Sequence, residues 1–98
     1  MNEIYFTSNV WAYWDGKQAG MCTRGDKRYV FWLHDWSADG LYPIDDDGKD
    51  LPRIFDLYLI ENDETFNLLD GWNWDDIDAW VATREPVSQC TENQLKDK

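Results

Sequence analysis

Carboxylates are the chemistry-bearing side chains of this 98-residue chain, and they are unevenly placed. Between Asp35 and Asp78 stand fourteen Asp or Glu residues against two bases, Lys49 and Arg53. The segments on either side are close to neutral, so this block carries nearly all of the net charge of −11. Crowded like charges repel and oppose folding. A field of this kind suits attraction of a basic surface, because it steers encounter and its carboxylates form two-pronged pairs with arginine. The acids fall into three groups. Asp45, Asp46, Asp47 and Asp50 share one loop, and Glu61, Asp63 and Glu64 share a turn. Asp70, Asp75, Asp76 and Asp78 surround the expected start of a helix. Duplex DNA presents about one negative charge per 1.7 Å of axis, so spaced carboxylates are able to occupy a Lys/Arg groove in its place. Trp72, in the turn before the helix, suits an aromatic anchor for such a contact. Trp74 lies on the helix's apolar stripe and suits the core.

Other chemistries find less support. Asp35, Ser37 and Asp39, then Gly40 and Asp46, match the opening of a calcium loop. Pro43 at the ninth place, Asp rather than Glu at the twelfth, and a preceding strand argue for a plain loop, so no metal site is expected. His34 is the single histidine, and no Cys or His lies at ligand spacing from it. Ser8, Ser37, Cys22 and Cys90 lack the surroundings of an activated nucleophile. With so many acids, a pair suited to glycoside hydrolysis exists by arithmetic alone. The chain has no glycine-rich phosphate loop. Arg24, Lys27 and Arg28 flank one turn and form too small a patch to bind nucleic acid directly. A cofactor-free, non-catalytic protein is the expectation.

The elements that must carry these groups are legible in outline. Residues 4–34 read as a three-stranded meander. Asp15-Gly16 forms the first turn, with Trp14 opposite Lys17 and Trp11 over Gly20. Gly25-Asp26 forms the second, with Cys22 opposite Tyr29 and Met21 opposite Val30. This register groups Val10, Ala12, Met21, Val30 and Trp32 on one face, and Trp11, Tyr13, Cys22, Tyr29, Phe31 and Leu33 on the other. Both faces are apolar, so one packs on the core and the second needs a cover or a partner. Residues 54–60 read as a strand, with Phe55, Leu57 and Leu59 on one side, and residues 65–69 as a short strand. Asn73 is a good N-cap, and Trp74, Ile77, Trp80 and Val81 recur at helical spacing up to Pro86. The fold class is α+β: an antiparallel sheet of four to five strands with one C-terminal helix packed on it. Residues 1–86 form a single compact domain, and 87–98 a polar, flexible tail.

Seven Trp, five Tyr and four Phe separate the chain from acidic disordered tails, which are poor in aromatics. Neither a signal peptide nor a membrane-spanning run stands out, and a cytoplasmic protein with free thiols at Cys22 and Cys90 is expected. In size, charge and compactness the chain resembles the small acidic inhibitors of phages and mobile elements, among them anti-CRISPR and anti-restriction proteins that act as DNA mimics. The likeness is one of composition. It implies a viral protein, monomeric or homodimeric, that inhibits by protein–protein interaction and blocks the basic nucleic-acid-binding groove of a target. Two alternatives stand beside it. One is a toxin-immunity protein or similar interaction module that uses an aromatic sheet face. The other is a calcium- or carbohydrate-binding domain.

Overall fold

The computed structural model describes residues 3–71 and 73–97. The element order is β1 (Tyr5–Tyr13), β2 (Lys17–Arg24), β3 (Lys27–Leu33), α1 (Ala38–Leu41), β4 (Ile54–Ile60), α2 (Asp63–Asp70), α3 (Trp74–Ala82), β5 (Ser88–Thr91) and β6 (Leu95–Asp97). The class is α+β, with a sheet of six strands instead of four or five and, among the described residues, three short helices instead of one. Strands lie in the order β5-β4-β3-β2-β1-β6. Neighbours are antiparallel except β1 and β6, which run parallel, so the sheet is mixed.

The two edge strands explain its shape. β5 and β6 sit on opposite edges, yet only a 3-10 turn, Glu92–Gln94, separates them in sequence. Three residues span at most about 10 Å. The sheet therefore curls until its edges approach. β5 and β6 run the same way, so together they act as one broken strand that pairs first with β4 and then with β1. This corrects the expectation of a flexible tail at 87–98. Polar composition hid the strands because the pairing is by backbone, and only Cys90 and Leu95 turn fully inward.

Curling gives the sheet an inside and an outside. Tyr5, Cys22, Tyr29, Phe31, Leu33, Phe55, Leu57, Cys90 and Leu95 fill the inside. Tyr5 meets Tyr29 edge-on at 5.6 Å, and Phe31 meets Phe55 edge-on at 5.4 Å. Outside, Met21, Val30, Tyr58 and Ile60 lie beneath Leu69 of α2 and Ile77, Trp80 and Val81 of α3. Most of both apolar faces is thus covered within the chain, while Phe6 and Tyr13 of β1 stay exposed.

The expected register holds for β2 with β3, where Cys22 pairs with Tyr29 and Met21 with Val30. It fails for β1. Tyr13, not Trp14, pairs with Lys17, and register shifts follow at Ala12/Tyr13, Val10/Ala12 and Thr7/Asn9. A one-residue slip turns a side chain to the other face. Val10 accordingly packs inside and Trp11 outside, the reverse of the simple alternation. Val10 stands opposite Gly20, and the Phe31 ring covers that glycine, where a Cβ would overlap the ring and the Asn9 carbonyl.

Residues 65–69 are helical rather than extended. Asn62 caps α2 by accepting from the Thr65 N–H at 2.8 Å, and Asp63 and Glu64 occupy its first turn, where the helix dipole favours anions. Asn73 caps α3 in the same way, accepting from the Asp76 N–H at 3.2 Å.

Candidate functional site

The site begins with Arg53, the residue before β4. It is 4% exposed, and its guanidinium donates to three backbone carbonyls. Nε reaches Leu41 at 2.7 Å, Nη1 reaches Lys17 at 3.1 Å, and Nη2 reaches Trp14 at 3.0 Å. It also lies 5.8 Å from the centre of the Tyr42 ring. The Tyr42 hydroxyl accepts from the Trp14 indole N–H at 2.9 Å and donates to Asp15 at 2.9 Å. These contacts bind the segment between β3 and β4 to the β1–β2 turn. Gly16 closes that turn at φ +136°, and a Cβ there would press on the Glu92 carboxylate and the Arg53 guanidinium. The planar, fixed fork of arginine suits this task, since one side chain must satisfy acceptors from three places.

Within the pinned segment the acids also organise one another. Asp45 accepts from the N–H groups of Asp47 and Lys49, both at 2.9 Å, and so shapes its own turn. A bridge pairs Ile44 with Asp50, and Leu51 N–H donates to the Pro43 carbonyl at 2.8 Å. Asp46, Asp47 and Asp50 stay exposed. Asp15, Asp50 and Glu92 line one shallow cleft with Arg53, and Asp35 and Asp39 line the next, with Pro43 common to both. Asp35 accepts from the Ser37 N–H at 2.9 Å, and that bond holds its carboxyl below the ordinary value.

The acids expected to act together therefore divide. Asp45, Asp46, Asp47 and Asp50 lie together on the pinned segment, and Asp50 shares a cleft with Asp15 and Glu92. Asp63 and Glu64 sit beyond the far end of β4, a strand of seven residues that separates them from the first group by about 20 Å at ~3.4 Å per residue. Arg28 pairs with Asp63 at 2.7 Å, and nearby Arg24 pairs with Glu3 at 3.4 Å. Arg28 thus offsets part of that second group. Asp70 accepts from the Asn9 side chain at 2.7 Å. Asp75 and Asp76 occupy the first turn of α3, and Asp78 follows within the helix. Trp72 lies outside the described residues.

An aromatic cluster joins the two layers. Trp32 of β3 stacks on Trp74 at 5.4 Å and meets Trp36 edge-on at 5.3 Å. Trp74, expected in the core, is 43% exposed, and Trp36 is 39% exposed. Sequence reasoning passed over Trp36 and Arg53. No local pattern marks them, because the partners that give them their roles are distant in the chain.

His34 Nδ1 lies 3.0 Å from Asp56 Oδ1, and Gln89 donates to the same oxygen at 2.8 Å. Among the described residues no hydroxyl or thiol hydrogen-bonds to His34. No three His, Cys, Asp or Glu side chains among the described residues converge as cation ligands, and the Asp35, Ser37, Asp39 and Asp46 loop does not assemble into a cage. Cys22 and Cys90 are free and buried, and burial raises the pKa of both thiols, Cys90 to about 12. No helix among the described residues is long and apolar enough to cross a membrane. In comparisons with known proteins, no family model, no curated protein and no solved structure matches the chain.

Proposed function

We propose that this protein is a small, non-catalytic inhibitor that binds a basic, nucleic-acid-binding protein and fills its Lys/Arg groove in the manner of a DNA mimic. The observation that carries the reading is the pinned acidic segment. Arg53, its buried cation, is engaged by backbone carbonyls, while Asp46, Asp47 and Asp50 remain exposed around a single exposed base, Lys49, and Arg24 and Arg28 stand elsewhere, paired with Glu3 and Asp63. Rigid placement matters because a surface that is already ordered loses less conformational entropy on binding.

The test compares the parent with the triple variant Asp46→Lys, Asp47→Lys, Asp50→Lys as bait in a bacterial lysate. Asp45 is spared because it shapes the turn. The parent is expected to capture nucleic-acid-binding proteins that duplex DNA and raised salt both release. The triple variant should keep its denaturation midpoint and capture none of them. Capture indifferent to competing DNA and to charge reversal overturns the reading.

A further inference from the structure

We infer that the Trp32–Trp36–Trp74 cluster is an arginine-binding site, through which the protein takes hold of a guanidinium on its basic partner. This deepens the reading above and rests on it. The cluster stands where the acidic segment meets the helix layer. Trp36 follows Asp35 and precedes Asp39, and Trp74 precedes Asp75 and Asp76, all four acids being exposed. The two outer indoles are exposed, and Trp32 between them is partly buried, so their positions are set by the sheet. An indole face carries negative charge density and attracts a cation, and a planar guanidinium also stacks on it. The four exposed acids adjoin Trp36 and Trp74 in sequence, and carboxylates pair with guanidinium N–H groups.

The chain already uses this contact internally. Arg28 sits 4.5 Å from the Phe66 ring centre and Arg84 sits 4.7 Å from that of Trp80. Among the described residues no cation of the chain covers Trp36 or Trp74. A second copy of the protein is a poor occupant, because it brings the same carboxylates to a surface that repels them. A cationic segment of another protein complements both the rings and the acids.

The experiment titrates the full chain with nona-arginine and nona-lysine peptides of equal charge, at low salt. Indole N–H resonances and affinity are both read. Nona-arginine should bind about twofold to fivefold more tightly than nona-lysine, the range expected for an exposed cation–π contact. In the unsubstituted protein it should shift the indole signals of Trp36 and Trp74 more than those of Trp14 and Trp80. Trp36→Ala with Trp74→Ala should erase the preference while keeping salt-dependent binding of both peptides. Equal affinity for the two peptides overturns the inference, as does a preference that survives the double variant, or shifts confined to other indoles. A charge-reversal effect without arginine preference refutes this site and leaves the acidic-interface reading standing. Failure of both peptides to bind refutes the site outright.

Discussion

Replacing Arg53 with alanine removes a side chain that ties the β1–β2 turn to the segment between β3 and β4 through three backbone carbonyls. Its three bonds have charged donors, and such bonds contribute about 1.5–3 kcal/mol each. Two effects reduce the sum. The carbonyls belong to segments that are exposed or partly exposed, so water replaces part of what is lost. The guanidinium is also released from burial, which relieves a desolvation penalty of several kcal/mol. A net loss of about 3–4 kcal/mol is expected, within the range for breaking a buried charged network. Domains are stable by roughly 5–15 kcal/mol, so this is a large fraction of the total. At roughly 4–8 °C per kcal/mol for a domain of this size, Tm should fall by more than about 12 °C. Arg53→Lys keeps the charge but reaches fewer carbonyls, and should lose about half as much. Urea denaturation measures both, and an unchanged slope confirms that stability alone has moved. Proteolysis at residues 42–52 should quicken in the alanine variant, since the segment then loses its tether. An alanine variant within about 1 kcal/mol of the parent would refute the assignment of Arg53 as the anchor of the acidic segment.

Two further expectations concern thiols and helix caps. Cys22 and Cys90 should resist a thiol reagent at pH 8 in the native protein and react fully in urea. Burial raises both thiols, Cys90 to about 12, and burial with the Glu3 hydrogen bond raises Tyr5 to about 12. Groups that hold their protons more tightly when folded contribute stability in full below their unfolded pKa values, about 8.5 for Cys and 10 for Tyr. That stability is lost as pH climbs toward the folded values, so the urea midpoint should fall between pH 8 and pH 11. A flat midpoint across that window would contradict the buried placement. Asn62→Ala and Asn73→Ala each remove the acceptor of a capping bond and should each lower stability by about 1 kcal/mol. A double variant indistinguishable from the parent in urea would show that the caps do not hold these helices.

Local signals in the sequence were sufficient where the deciding neighbours lie close in the chain. The Gly25-Asp26 turn set the β2–β3 register, and Ile54–Ile60 is a strand as its residue types suggest. Asn73 and the spacing of Ile77, Trp80 and Val81 marked α3. The same logic was available for α2, where Asn62, Asp63 and Glu64 precede Phe66 and Leu69 at helical spacing. The hydrophobic content at 65–69 suggests a strand, but the run is short, and short apolar runs do not distinguish strand from helix. Charge was also legible, since it needs no fold to be counted.

Folding in three dimensions decided the rest. The slips in β1 depend on how that strand accommodates a curled sheet, and they exchange the faces of Val10 and Trp11. The strands at 88–97 exist because both edges of the sheet come within reach of one short turn. Arg53 looks in sequence like one of two scattered bases, and only its buried, three-way bonding shows it as an anchor. The acidic block, continuous in sequence, splits in space because β4 sets two of its groups at opposite ends, and Arg28 then offsets one of them. Composition determined how much negative charge this protein carries. Strand length and distant hydrogen bonds determined where that charge stands free, because an electrostatic surface is a property of positions and a sequence holds only their order.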